Sequence, residues 1–143
     1  MEASTSSAGG IDQAHVLVVD DERTIRMIHT TLFKKYSCKV TSAESGLQAL
    51  EILGLVDDNQ SSVNETIPMV NLVCSDYDMP PGMNGYELLK KIKESDTTKD
   101  VPVVIASSDA KATRVNECLE AGAAMFISKP LKTTDVENLM KLM

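Results

Sequence analysis

The 143-residue sequence has no tryptophan and only two phenylalanines and three tyrosines, so aromatic residues make up 3% of it. That leaves little to stack on the isoalloxazine ring of a flavin. Basic residues are in deficit as well: 14 Lys and Arg against 21 Asp and Glu give a formal net charge of −7. Such a chain lacks the cationic footprint that neutralises nucleic-acid phosphates, and no nucleic-acid binding is expected of it. No apolar run approaches the ~18–20 residues of a membrane span, and "MEASTSSAGG" has neither the basic start nor the apolar core of a secretory signal. The expectation is a soluble intracellular protein with no membrane contact, cytoplasmic and/or nuclear. Cys38, Cys74 and Cys118 are scattered without CxxC spacing, which points to reduced thiols rather than bridges or zinc ligands. Asn64 in "NET" fits a glycosylation acceptor, a match without weight where no signal precedes it.

What is present is an alternation. A hydrophobic fraction of 43% is enough for a core, and the length suits one domain. A Ser-, Gly- and Ala-rich tail is expected over residues 1–13. "HVLVV" (15–19) is too short and too Val-rich for a helix, whereas "RTIRMIHTTLFKKY" carries Ile25, Ile28, Leu32 and Phe33 at helical spacing. "SCKVTSA" reads as a strand, and "SGLQALEILG" as a helix with Leu47, Leu50 and Leu53 on one face and Gly54 as its stop. After the polar stretch "LVDDNQSSVNETIP", three further pairs follow: "MVNLVCS" (69–75) with "GYELLKKIKES", "VPVVIAS" (101–107) with "KATRVNECLEAG", and "AAMFIS" with "TTDVENLMKLM". Five βα pairs imply a parallel sheet with helices on both faces.

In such a sheet, ligands gather beyond the carboxyl ends of the strands. Asp20 and Asp21 end the first strand, Asp76 the third, Ser107 the fourth and Lys129 the fifth. Each alone has an ordinary reading: an Asp or Ser after a strand is a favoured helix cap, and a Lys before a proline is usually a solvated charge. Five at one edge are harder to dismiss, because converging carboxylates repel one another by about 1–4 kcal/mol per pair at ~4 Å, depending on screening. A cation must offset that, and Mg²⁺, which takes one or two carboxylates and leaves positions for phosphate oxygens, is the economical choice. An aspartate beside Mg²⁺ can attack phosphorus, while a lysine and a hydroxyl neutralise and bind the transferred oxygens. Asp76, Lys129 and Ser107 supply those functions.

The segments "VLVVDDE", "VCSDYDMPPGMNGYELLKKIK", "VVIASSDA" and "AGAAMFISKPL" resemble, in order, the motifs of the two-component response-regulator receiver domain. "SCKVT", "ALEILGL" with its long polar loop, and "GYELLKKIKES" resemble the plant type-A response regulators of cytokinin signalling. The resemblance covers about residues 14–143 and implies a flavodoxin-like, doubly wound (βα)5 α/β fold with a five-stranded parallel sheet of order 2-1-3-4-5. It implies Asp76 as phosphoacceptor, Asp21 and Asp76 as metal ligands with the Asp78 carbonyl as a third, and Asp20 acting directly or through water. Ser107 matches the family's hydroxyl, Lys129 its phosphate-binding lysine and Phe126 its switch aromatic. The Lys129–Pro130 bond is expected to be cis, as is typical in that family.

On this reading the chain is a monomeric signalling phosphoacceptor, not a classical enzyme, loaded by a histidine-phosphotransfer protein or histidine kinase. It would signal to a downstream protein through residues of about 110–143, without DNA-binding output. The side chain of Asp78 should point out over the acceptor pocket, with Asp109 across the same opening. One departure stands out: "MPPGMNG" has one residue more than the commonest plant form. A strand followed by Asp-x-Asp also resembles the haloacid-dehalogenase phosphatases, with Asp76 as nucleophile and Asp78 as acid and base. Against that alternative, Met79 replaces the usual Thr or Val, the Asp20–Asp21 pair precedes the nucleophile, and no cap domain fits. A degenerate docking-only receiver would lack a site residue, and none is missing.

Overall fold

The structure, a computed structural model, describes residues 13–56 and 69–143. Its strands are β1 (His15–Val19), β2 (Lys39–Ala43), β3 (Leu72–Asp76), β4 (Val103–Ser107) and β5 (Met125–Ser128). The helices that follow them are α1 (Arg23–Lys35), α2 (Gly46–Ile52), α3 (Gly85–Glu94), α4 (Ala112–Glu120) and α5 (Thr133–Met140). All pairings are parallel, and the sheet order is β2-β1-β3-β4-β5, the doubly wound arrangement expected. The expected tail is described only at residue 13. The polar loop is described only at residues 55 and 56, so the rest of it, including Asn64, lies outside the described residues.

The strand sequences explain the layers. β1, β3 and β4 are buried along their whole length, as strands covered on both faces must be, and are rich in Val, Leu and Ile. Alternate residues feed two cores. Leu17, Val73 and Ile105 pack with Leu88, Leu89 and Ile92 of α3 and Cys118 of α4, while Val16, Leu72 and Val104 pack with Phe33 of α1 and Val136 and Leu139 of α5. All three cysteines are buried free thiols.

Local signals fix the helix ends. Ser45 caps α2 by accepting from the Gln48 amide at 3.1 Å, and Gly54 ends it at φ +76. Asn84 and Glu87 form a reciprocal capping box on α3. Two helical faces differ from expectation. Leu47 is 55% exposed, and α2 instead buries Gly46, Ala49 and Leu50. Ile28 is exposed, because α1 turns His29 and Phe33 to the sheet. β3 starts at Leu72 rather than residue 69, since Asn71 closes the strand start: its Oδ1 accepts from the His15 amide at 2.8 Å.

Candidate functional site

The polar residues at the strand ends do converge. Asp76 is the last residue of β3 and Ser107 the last of β4, while Asp20 and Lys129 each directly follow a strand. Asp20 is 1% and Asp76 5% exposed, and the Lys129 side chain 9%. The Lys129 Nζ lies 3.0 Å from Asp76 Oδ1 and 3.2 Å from Asp20 Oδ2, which discards the reading of a solvated turn lysine. The capping reading fails too, because the N-cap of α1 is Glu22, without a side-chain cap bond. Asp20 instead accepts the Glu22 amide at 2.8 Å on Oδ1, and its carbonyl accepts from Arg26 at 2.8 Å.

One oxygen from each of Asp20, Asp21 and Asp76 lies within 4.8 Å of the others, a cluster able to hold a metal ion. Three carboxylates against the one ammonium that bridges two of them leave a formal excess of two negative charges. Burial, then the charge of Asp20, pushes the Asp76 carboxyl up to about 6, with Lys129 opposing both. Burial works to lower the Lys129 ammonium, but bonding to Asp76 and the charge of Asp20 outweigh it and hold it above the ordinary lysine value. An all-oxygen donor set with unbalanced negative charge fits a hard divalent cation such as Mg²⁺.

Backbone contacts hold the end of β3 in place. Gly85 opens α3 directly against it: its amide donates to the Tyr77 carbonyl at 2.8 Å, and a Cβ there would run into the Asp76 carbonyl. The loop with the extra residue is pinned at both ends. Met79 is buried, the Met83 side chain fills the space a Cβ at Gly46 would take, and the cis Pro80–Pro81 bond and Gly82 lie exposed between. Lys129–Pro130 is also cis, as expected.

The remaining expected residues make other contacts. The Ser107 hydroxyl donates to the Asp109 carbonyl and accepts the Asp109 amide, both at 3.0 Å, so in this state it serves the turn after β4. Phe126 pairs in register with Ile105 and packs, partly buried, on the α3/α4 side of the sheet. Asp109 is 3.7 Å from the Lys111 ammonium. The Asp78 side chain, expected to point out over the pocket, takes part in an ion pair. Arg114 of α4 donates to Asp78 Oδ2 at 2.9 Å and Oδ1 at 3.4 Å, and its guanidinium lies 4.1 Å from the centre of the Tyr77 ring.

Sequence reasoning missed Arg114 and also His29, whose Nε2 accepts the Leu131 amide at 3.1 Å and so ties α1 to the turn beyond Lys129. Burial first, and the Lys129 charge with it, holds the His29 imidazolium below the ordinary histidine value against the pull of Asp20. A polar residue interrupting the apolar spacing of α1 was the available signal. For Arg114 there was none, since its partners lie on a different βα unit.

Known proteins resemble this chain in sequence and fold. Residues 16–141 match the response regulator receiver domain. The chain is 53% identical to the two-component response regulator ARR17 of Arabidopsis thaliana over 128 residues, spanning 90% of this chain and 83% of that protein. The chemotaxis response regulator CheY4 of Vibrio cholerae shares the fold at 22% identity, with a TM-score of 0.75 over 92% of this chain and all of that one. A CheX–CheY–BeF3–Mg²⁺ complex from Borrelia burgdorferi contains a chain 28% identical, TM-score 0.73, covering 90% of this chain and 88% of its own. With the cluster, the bridging lysine and the strand order in place, the chain belongs to the response-regulator receiver-domain family.

Proposed function

We propose that this protein is the phosphoacceptor of a His–Asp phosphorelay, with Asp76 as the nucleophile. The observation that carries the proposal is the convergence of Asp20, Asp21 and Asp76 with one ammonium, Lys129, bridging two of them. Asp20, Asp21 and Asp76, with the main-chain carbonyl of Asp78, would hold Mg²⁺, which supplies positive charge to the phosphoryl oxygens in transfer. A carboxylate oxygen of Asp76 attacks phosphorus, and the P–N bond of the donor phosphohistidine breaks with its electron pair returning to the imidazole. Lys129 neutralises charge on the transferred group. The Ser107 hydroxyl exchanges Asp109 for a phosphoryl oxygen, and Phe126 takes the space it leaves, a two-state shift that alters the surface of about residues 110–143.

The donor is a histidine-phosphotransfer protein or histidine kinase, and the reader is a protein that binds the altered surface of a monomeric chain. The segments that resemble type-A regulators support a role in cytokinin signalling, in the cytoplasm and/or nucleus, and the receiver is taken to span residues 14–143 after a tail over residues 1–13. The haloacid-dehalogenase alternative gains no support from the relatives. Acetyl phosphate with Mg²⁺ tests the reading: one labile phosphoryl group should form on wild type and none on Asp76→Asn. Asp21→Ala should require more Mg²⁺ for the same labelling. Equal labelling of Asp76→Asn would overturn the assignment.

A further inference from the structure

Lys129 reaches the pocket on a flexible stem, so where its ammonium falls depends on how firmly the backbone beneath it is held. On one side, the Lys129 amide donates to the Ser107 carbonyl at 3.0 Å. On the other, the Leu131 amide donates to Nε2 of His29 at 3.1 Å. His29 is 2% and Leu131 3% exposed, so pairing with the imidazole spares a buried amide the cost of an unmet donor. Burial also keeps His29 unprotonated at neutral pH, with its ring proton on Nδ1 and a lone pair on Nε2 for the amide. The same helix holds the other half of the pair. Arg26, three residues before His29 and so its neighbour on the surface of α1, donates to the Asp20 carbonyl at 2.8 Å. One turn of α1 therefore fixes the backbone of Asp20 and the backbone just past Lys129, the two residues whose side chains meet at 3.2 Å.

We propose that His29 is a positioning residue that holds the Lys129 ammonium against Asp76 and thereby speeds phosphoryl transfer. The inference rests on the reading of Asp76 as phosphoacceptor. With acetyl phosphate, a carboxylate oxygen of Asp76 bonds to phosphorus, and the P–O bond to the acetyl group breaks with its electron pair leaving on acetate. His29 touches none of these atoms and gives up no proton. It acts through the place where it keeps the Leu131 amide. When the segment after β5 drifts away from α1, the ammonium two residues back leaves the point where charge gathers on the phosphoryl oxygens.

The experiment compares full-length wild type, His29→Leu, His29→Gln, Lys129→Met and the His29→Leu/Lys129→Met double variant. Leucine fills the space without an acceptor, whereas glutamine restores one. At saturating Mg²⁺, His29→Leu should take up phosphate from acetyl phosphate about tenfold more slowly, less than the ~100-fold that a misplacement of about 1 Å can cost. It should need no more Mg²⁺ than wild type to reach half its maximal rate, and His29→Gln should recover most of the lost rate. In the Lys129→Met background, His29→Leu should slow labelling less than about twofold, since no ammonium is left to misplace. An unchanged rate in His29→Leu would overturn the proposal. So would equal slowing in both backgrounds or no rescue by glutamine, because His29 would then serve the fold at large, and so would a raised Mg²⁺ requirement, which places the damage at the carboxylates. Urea unfolding of the same set, without metal or donor, is an independent arm. There His29→Leu should lower the midpoint less in the Lys129→Met background than in wild type, and equal shifts would overturn the proposal. If wild type takes up no phosphate, the phosphoacceptor reading falls, while the urea arm still decides whether His29 positions Lys129.

Discussion

Two ion pairs of nearly equal length have acidic partners two residues apart, one ending β3 and one in the segment that follows it. Asp76 meets Lys129 at 3.0 Å, with side chains 5% and 9% exposed, and Asp78 meets Arg114 at 2.9 Å, with side chains 54% and 24% exposed. Distance does not separate them; surroundings do. In the buried pocket a second carboxylate, Asp20, shares the same ammonium, so Lys129 balances charges that water screens poorly. At the surface the Arg114 pair is solvated and screened, so its worth lies in directing a side chain rather than in stability.

Lys129→Met should therefore have the largest effect, a loss of about 3 kcal/mol at pH 7.5 in metal-free buffer, the scale of breaking a buried pair by removing one partner. Urea unfolding measures it, and adding Mg²⁺ should recover part of the loss. A change below about 1 kcal/mol would place this pair with the exposed one.

Asp76→Asn should act in the opposite direction. Because the folded-state carboxyl is raised to about 6 from 3.8, the folded protein binds more protons than the unfolded chain between those values. Wild-type stability should fall as pH rises from about 4 through 6, and the Asn variant should lack that fall. Allowing for screening at the pocket mouth, the variant should be about 1–2 kcal/mol more stable at pH 7 without metal, and no more stable near pH 3.5. Denaturation midpoints across that range test it.

His29 gives a smaller contribution of opposite slope. Its imidazolium is disfavoured in the folded state, so the unfolded chain takes up more protons, and stability should decline as pH falls below about 6.5. His29→Gln, which retains an acceptor for the Leu131 amide, should flatten that decline in the same pH series. The smallest change belongs to Arg114→Ala, no more than about 1 kcal/mol and smaller in high salt, as for other exposed pairs. A larger or salt-independent loss would show that the surface pair behaves like the buried one.

The same contrast marks what the sequence could reveal. The pocket was legible because a parallel sheet brings the strand ends to one edge, so that Asp20, Asp76, Ser107 and Lys129 needed only strand positions to be grouped. Arg114 and Asp78 meet through the approach of α4 to the loop after β3, and no periodicity within either segment encodes that approach. The faces of α1 and α2 were misread for a related reason. Counting only apolar residues put Ile28 and Leu47 inside, whereas α1 buries His29, whose polar nitrogen is satisfied by a main-chain amide from a distant turn. The turn of Ser107 onto Asp109 was open to either reading, since one hydroxyl suits both a turn and a phosphoryl oxygen.

The bond between Lys129 and Asp20 also joins groups 109 positions apart. During synthesis a chain released only as far as β4 carries all three pocket carboxylates without the ammonium that bridges two of them. Without β5 those like charges would meet at the edge of the sheet unbalanced, so closing the pocket requires a contact of high sequence separation. The charge balance of the pocket is therefore complete only once β5 is in place beside β4.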